Sequence, residues 1–174
     1  MSVENKLLKS AESLATESAA WEILKEVVDP EIPVLTIMDM GILRDVKADE
    51  NGIEVTITPT YSGCPAMEMI AEEIKSALSK KGFSNVTIKS VLSPAWTTDW
   101  ITEEGKAKLF KYGIAPPAHS TADKGALLGN PKSVKCPQCK SEHTEMISNF
   151  GSTACKALWK CLDCKEPFDY FKCI

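Results

Sequence analysis

The 174-residue chain lacks most of what marks a conventional enzyme or a membrane protein. No apolar run approaches the roughly 20 residues that cross a bilayer. The opening stretch, MSVENKLLKSAESLATESAA, mixes charges and has no apolar signal core, so export is not expected. There is no Ser-His-Asp order, no phosphate-cradling P-loop, no GxGxxG and no HExxH. Histidine occurs only at His119 and His143. The first is expected to be solvated. The second follows Cys139 closely, and an exposed hairpin position is the expectation for it over a role tuning a metal. Clustered Lys/Arg with interleaved aromatics is also missing. Residues 1–130 carry 13 basic and 19 acidic side chains, whereas 131–174 carry 7 and 5. An acidic main body argues against nucleic acid as a partner.

What the chain does have is cysteine, seven in all, four of them in two Cys-x-x-Cys pairs: Cys136/Cys139 and Cys161/Cys164. Two residues between thiols let one tight turn present both sulfurs to one ion. Two such turns face to face complete a tetrahedral site. The 21 residues between Cys139 and Cys161 slightly exceed the usual spacing and fit a longer hairpin. Zinc is the expected metal. Four thiolates suit an iron–sulfur centre too, so the pattern leaves both open. Thiols used this way fit a reducing cytoplasm better than a disulfide framework.

The rest reads as an α+β (two-layer α/β) domain over 16–113, a linker over 114–133 and a C-terminal four-cysteine metal-binding β-ribbon over 134–174. The first 14 residues look polar and frayed. Ala19, Ile23 and Val27, widened by Trp21, Leu24 and Val28, make an apolar helical stripe that Asp29-Pro30 ends. Strands are expected at 42–48 and 53–58 around an Asn51-Gly52 turn, because Ile53, Val55 and Ile57 alternate with polar residues. A helix follows Cys64-Pro65 to about Lys81, stopped by Gly82. A third strand, parallel to the second, is expected over 85–92. A short helix runs from a Thr102 cap to Gly113. Trp96 and Trp100 flank the sheet end, as core or partner surface.

Cys64 is the second chemical feature. It follows a tight Ser62-Gly63 turn, with proline at the first helical position. A sulfur there faces the unsatisfied N–H groups and positive end of a helix dipole, which favour thiolate over thiol. A small buried hydrophobe is the alternative reading. Asp29, Glu31 and Asp39 could face a metal, although caps and turn formers are the expected roles.

These residues resemble a known family. DPEIPVLTIMDMGI (29–42) and VTITPTYSGCPAMEMI (55–70) resemble the SufT-type iron–sulfur assembly domain. LSPAWTTDWITEEGKAKLFKYGIAPP (92–117), CPQC, FGSTACKALWKC and CKEPFDYFK resemble the PaaD family, encoded with the bacterial phenylacetyl-CoA epoxidase (ring 1,2-epoxidase). The resemblance implies a non-enzymatic accessory factor of phenylacetate catabolism that assembles or delivers an iron–sulfur cluster or iron. Its partners would be the reductase or di-iron oxygenase subunits, and a homodimer is compatible with it. It implies a transient cluster at Cys64, with Cys155, a further family cysteine, as a second cofactor-binding residue, Asp29, Glu31 and Asp39 as an acidic signature supporting Cys64, and Cys136, Cys139, Cys161 and Cys164 as ribbon ligands. The residues agree, since no two-helix Glu-x-x-His di-iron arrangement is present. The alternative is an iron–sulfur electron-transfer or structural subunit of the oxygenase complex.

Overall fold

Residues 3–117 and 134–172 are described by the computed structural model, and they divide into two units. The first comprises residues 1–59 and 63–94. Its centre is β2 (Gly52–Ile57), whose Ile53, Val55 and Ile57 are buried as the alternation predicts. It pairs antiparallel with β1 (Leu43–Asp49) and parallel with β3 (Val86–Ser90), giving the order β1-β2-β3. Between β2 and β3 lies α2 (Ala66–Lys80), which buries Ala66, Ile70, Ile74 and Leu78, all on one helical stripe. Gly82, at φ 89°, ends it, with the Phe83 N–H returning to the Leu78 carbonyl.

Three sequence expectations are corrected here. The first helix, α1, runs Val3–Leu24, so its backbone begins within the stretch expected to fray. It also stops before Val27 and Val28. The Ile37 N–H donates to the Val27 carbonyl and Asp29 N–H to Leu35 O, so these residues leave the helix to pair with 35–37. Further up α1, Glu17 accepts the Ala48 N–H (2.9 Å) and Ser13 donates to the Ala48 carbonyl, covering an otherwise open strand edge. The hairpin turn also shifts by one residue. Asp49 pairs with Gly52, leaving Glu50 and Asn51 in the turn, and Asp49 Oδ1 accepts the N–H groups of Asn51 and Gly52. Gly52 serves a different need: a Cβ there would lie 2.2 Å from the Asn85 carbonyl oxygen.

The second unit comprises residues 60–62 and 95–174. α3 (Glu103–Tyr112) starts as expected, with Thr102 Oγ1 accepting the Gly105 N–H at 2.9 Å, and ends at Gly113 with φ 99°. β4 (Ile114–Ala115) follows at once and pairs parallel with β7 (Pro167–Phe171). β6 (Lys156–Cys161) and β5 (Thr144–Ser148) add antiparallel pairings and complete a mixed sheet in the order β4-β7-β6-β5. The division between units therefore falls at 94/95 rather than at 113, because β4 carries α3 into the ribbon sheet. Of the expected linker, Ile114 and Ala115 are buried strand residues, and 118–133, with His119, lie outside the described residues. No helix among the described residues is long and apolar enough to cross a membrane.

Candidate metal centre and functional thiols

The two Cys-x-x-Cys turns are conformational copies of each other. In each, the first cysteine's N–H donates to the carbonyl five residues on, Cys136 to Ser141 (2.8 Å) and Cys161 to Glu166 (2.9 Å). In each, the residue after the second cysteine has positive φ, 65° at Lys140 and 68° at Lys165. Cys136 and Cys161 are fully buried, Cys164 is half-buried and Cys139 is exposed. The turns meet with Cys136 Sγ 3.7 Å from Cys164 Sγ and Cys139 Sγ 3.5 Å from Cys161 Sγ. All four sulfurs lie within 4.8 Å of one another. A regular tetrahedron with metal–sulfur bonds of ~2.3 Å has edges of about 3.8 Å. The cage therefore fits a single metal ion.

Its protonation is uneven. Burial resists ionisation of Cys161, but the backbone N–H groups of Cys164 and Asp163 and the thiols of Cys139 and Cys164 overcome it, lowering its pKa to about 6. Cys164 is favoured as thiolate by the Glu166 N–H, yet burial and the three neighbouring sulfurs push it up to about 12. Ionisation is favoured at Cys161 and opposed at Cys164. A divalent cation removes that opposition.

Beneath the cage, Val134, Ala157, Trp159, Phe168, Tyr170 and Ala115 pack with the buried cysteines, and Trp159 and Tyr170 meet edge to face at 6.0 Å. The buried Trp159 Nε1 has no hydrogen-bond partner. Outside the cage, Asp163 lies between Cys161 and Cys164. Its Oδ2 accepts from Ser141 Oγ (2.5 Å) and its Oδ1 is 3.0 Å from His143 Nδ1. These contacts, the Ser141 hydroxyl first, hold the Asp163 carboxyl below its ordinary range. His143 is exposed, as its hairpin position suggests. Ser141 and Asp163 carry no sequence signal beyond their nearness to ligands.

The remaining candidates are not among the four sulfurs of this cage. Cys155 is buried, its Sγ 3.0 Å from Thr153 Oγ1, and its carbonyl accepts the Lys172 N–H. The Lys172 ammonium is pushed toward neutrality by burial and held back by Cys155; it donates to Asn149 and sits 4.3 Å from the centre of the Phe150 ring. Cys64 is half-buried just before α2, its carbonyl accepting the Met67 N–H. Pro65 occupies the cap with helical torsions, one position earlier than expected. Ser62 and Gly63 beside it are exposed, and nothing lies within 4 Å of where a Gly63 Cβ would point. The carboxylates of Asp29 and Asp39 accept backbone N–H groups. Asp29 Oδ1 accepts the N–H groups of Glu31 and Ile32, both at 2.8 Å, and Asp39 Oδ2 accepts Thr36 N–H at 2.9 Å while Thr36 Oγ1 accepts that of Asp39. Asp29 and Asp39 are buried turn formers.

Two family models match, an iron–sulfur cluster assembly protein over residues 17–89 and a PaaD zinc beta ribbon domain over 120–172. A subunit of the "Putative 1,2-phenylacetyl-CoA epoxidase" of Escherichia coli (strain K12) is 51% identical over 154 residues, covering 88% of this chain and 91% of that one. The Bacillus subtilis Fe-S protein maturation auxiliary factor YitW is 36% identical over 88 residues, covering 49% of this chain and 85% of its own. Among solved structures, a domain of unknown function DUF59 from Bacillus anthracis aligns with TM-score 0.54 at 29% identity, covering 57% of this chain and 96% of that one.

Proposed function

The chain belongs to the PaaD family, that of the 1,2-phenylacetyl-CoA epoxidase subunit it matches over most of its length, and from that membership we propose that it is a non-catalytic accessory protein that matures a metal centre of a multicomponent oxygenase. It assembles or delivers an iron–sulfur cluster, or iron, to a partner subunit. The observation that carries the reading is the separation of two sulfur chemistries: a closed four-thiol cage in one unit and a single half-buried thiol at a helix entrance in the other.

The cage is the resident metal site, and zinc is its ion. Sulfur pairs at 3.5 and 3.7 Å suit one central atom. A cluster of several irons would drive the sulfurs apart by the metal–metal spacing. Zinc has no redox chemistry, so the ribbon serves folding and docking rather than electron transfer. Cys64 is the transfer ligand. Its thiolate takes an iron–sulfur bond from the donor and gives it up as the acceptor's cysteine forms its own. One thiolate cannot hold a cluster alone, so a second thiol comes from a partner protein, a second copy or a small thiol. Asp29 and Asp39 hold the 29–39 segment between α1 and β1 of the assembly domain, and Cys155 supports the ribbon's β6–β7 end.

Deleting the gene from a strain that carries the epoxidase system should leave the oxygenase and reductase expressed but the reductase deficient in iron. A fully iron-loaded, active oxygenase and reductase from that strain overturn the proposal.

A further inference from the structure

Before a metal ion can leave a cage built from two chelating turns, one turn must swing away from the other. In this ribbon the turns are also tied together directly. Asp163 moves with the Cys161–Cys164 turn, and its carboxylate reaches across to the other: Oδ2 accepts from Ser141 Oγ at 2.5 Å and Oδ1 meets His143 Nδ1 at 3.0 Å. Ser141 Oγ also accepts the His143 N–H at 2.9 Å, and the Leu162 N–H donates to the His143 carbonyl at 2.8 Å.

Resting on the zinc reading above, we infer that Ser141, Asp163 and His143 form a clamp that holds the two cysteine turns together independently of the ion and so sets how slowly the ion escapes. The ribbon is thereby a retention site. Metal or cluster that is passed onward moves through the Cys64 unit. The clamp works on the rate because an ion that has lost two sulfurs is recaptured while the open turn is still tethered. The Asp163 and His143 side chains are 55% and 67% exposed, so a single contact of this kind does little in water. The effect comes from one carboxylate using both oxygens, on two residues that are themselves joined. No charge on His143 is needed, since a neutral ring protonated at Nδ1 donates equally well.

The test uses the purified full chain. Zinc per chain is counted first, and release into excess chromogenic chelator is then timed. Wild type should hold one zinc and lose it slowly. Asp163→Ala should hold the same zinc and lose it about fivefold faster, short of the roughly 10–100-fold that follows loss of a group bonded to a metal ligand itself. Ser141→Ala should accelerate release less, and should add nothing in the Asp163→Ala background. Ser152→Ala removes a surface contact to Asp169 (3.1 Å) elsewhere in the ribbon and should leave the rate unchanged. Wild-type release from zinc-loaded Asp163→Ala overturns the clamp, as does equal acceleration by Ser152→Ala. Should Asp163→Ala not take up zinc, Ser141→Ala decides: a wild-type rate there rejects the clamp. Wild-type protein without zinc rejects the metal reading itself, before any rate is measured.

Discussion

A thiol among three others and a thiol alone at a helix entrance answer the same substitution differently. Cys161 is fully buried, with sulfur neighbours and backbone donors converging on it. Replacing it by serine leaves three sulfurs and a protonated hydroxyl that binds soft metal poorly. Cys161→Ser is expected to lose the zinc and the ordered ribbon, read by metal content and by the emission of Trp159, which packs against the cage. Cys64→Ser keeps the shape of a half-buried side chain whose backbone, not its sulfur, joins the helix start. It should melt like wild type and keep its zinc, yet fail to support growth on phenylacetate. Full growth would remove Cys64 from the transfer role. The ribbon cysteines were legible because spacing alone places two sulfurs on one turn. Asp163 was not, because the residues between two cysteines carry no period that says which way they face.

Between elements, the close approaches of backbone decide what a substitution costs. At Gly52 the conformation (φ 142°) and the space both exclude a side chain, since the added Cβ would meet a carbonyl oxygen of the chain leading into β3. Backbone cannot step aside as a flexible side-chain end can, and the Ile53 N–H bond to that same carbonyl would break with it. Gly52→Ala should therefore destabilise the first unit by about 2 kcal/mol or more. Gly82→Ala, at φ 89° with open space around it, should cost only the ~1 kcal/mol of a left-handed residue. Urea unfolding followed by helix signal compares them, and equal losses would show that the Asn85 contact yields. The strands and α2 were legible because alternation and a four-residue stripe survive in sequence. The turn register was not, since Asn51-Gly52 also signals a turn with glycine at its centre. The end of α1 was misread for a related reason: Val27 and Val28 continue its apolar stripe, but pairing with 35–37 claims their backbone.

At the scale of the whole chain, each unit has its own sheet and its own buried residues, and among the described residues only the second holds four sulfurs placed for an ion. The boundary was placed too late by sequence because β4 is two residues long, too short to show alternation. That strand makes α3 a neighbour of the metal sheet and enlarges what the ion supports. The ribbon strands are five or six residues each and share a small core in which two of the buried members are metal ligands, Cys136 and Cys161. Stripping the ion removes the bonds that draw four sulfurs to one point and leaves the two turns joined through the Ser141, Asp163 and His143 contacts. The β1-β2-β3 sheet has no such ligand in its core, which Val55, Ile57, Ile70, Ile74 and Leu78 fill. Chelation should therefore abolish amide-exchange protection in β5, β6 and β7, weaken it in β4, and leave β2 and α2 protected as before. Loss of protection in both units together would mean the ion stabilises the chain as one cooperative body. Protection kept in β6 and β7 would mean the Trp159–Tyr170 core carries the ribbon alone, and the expected collapse of Cys161→Ser would fall with it.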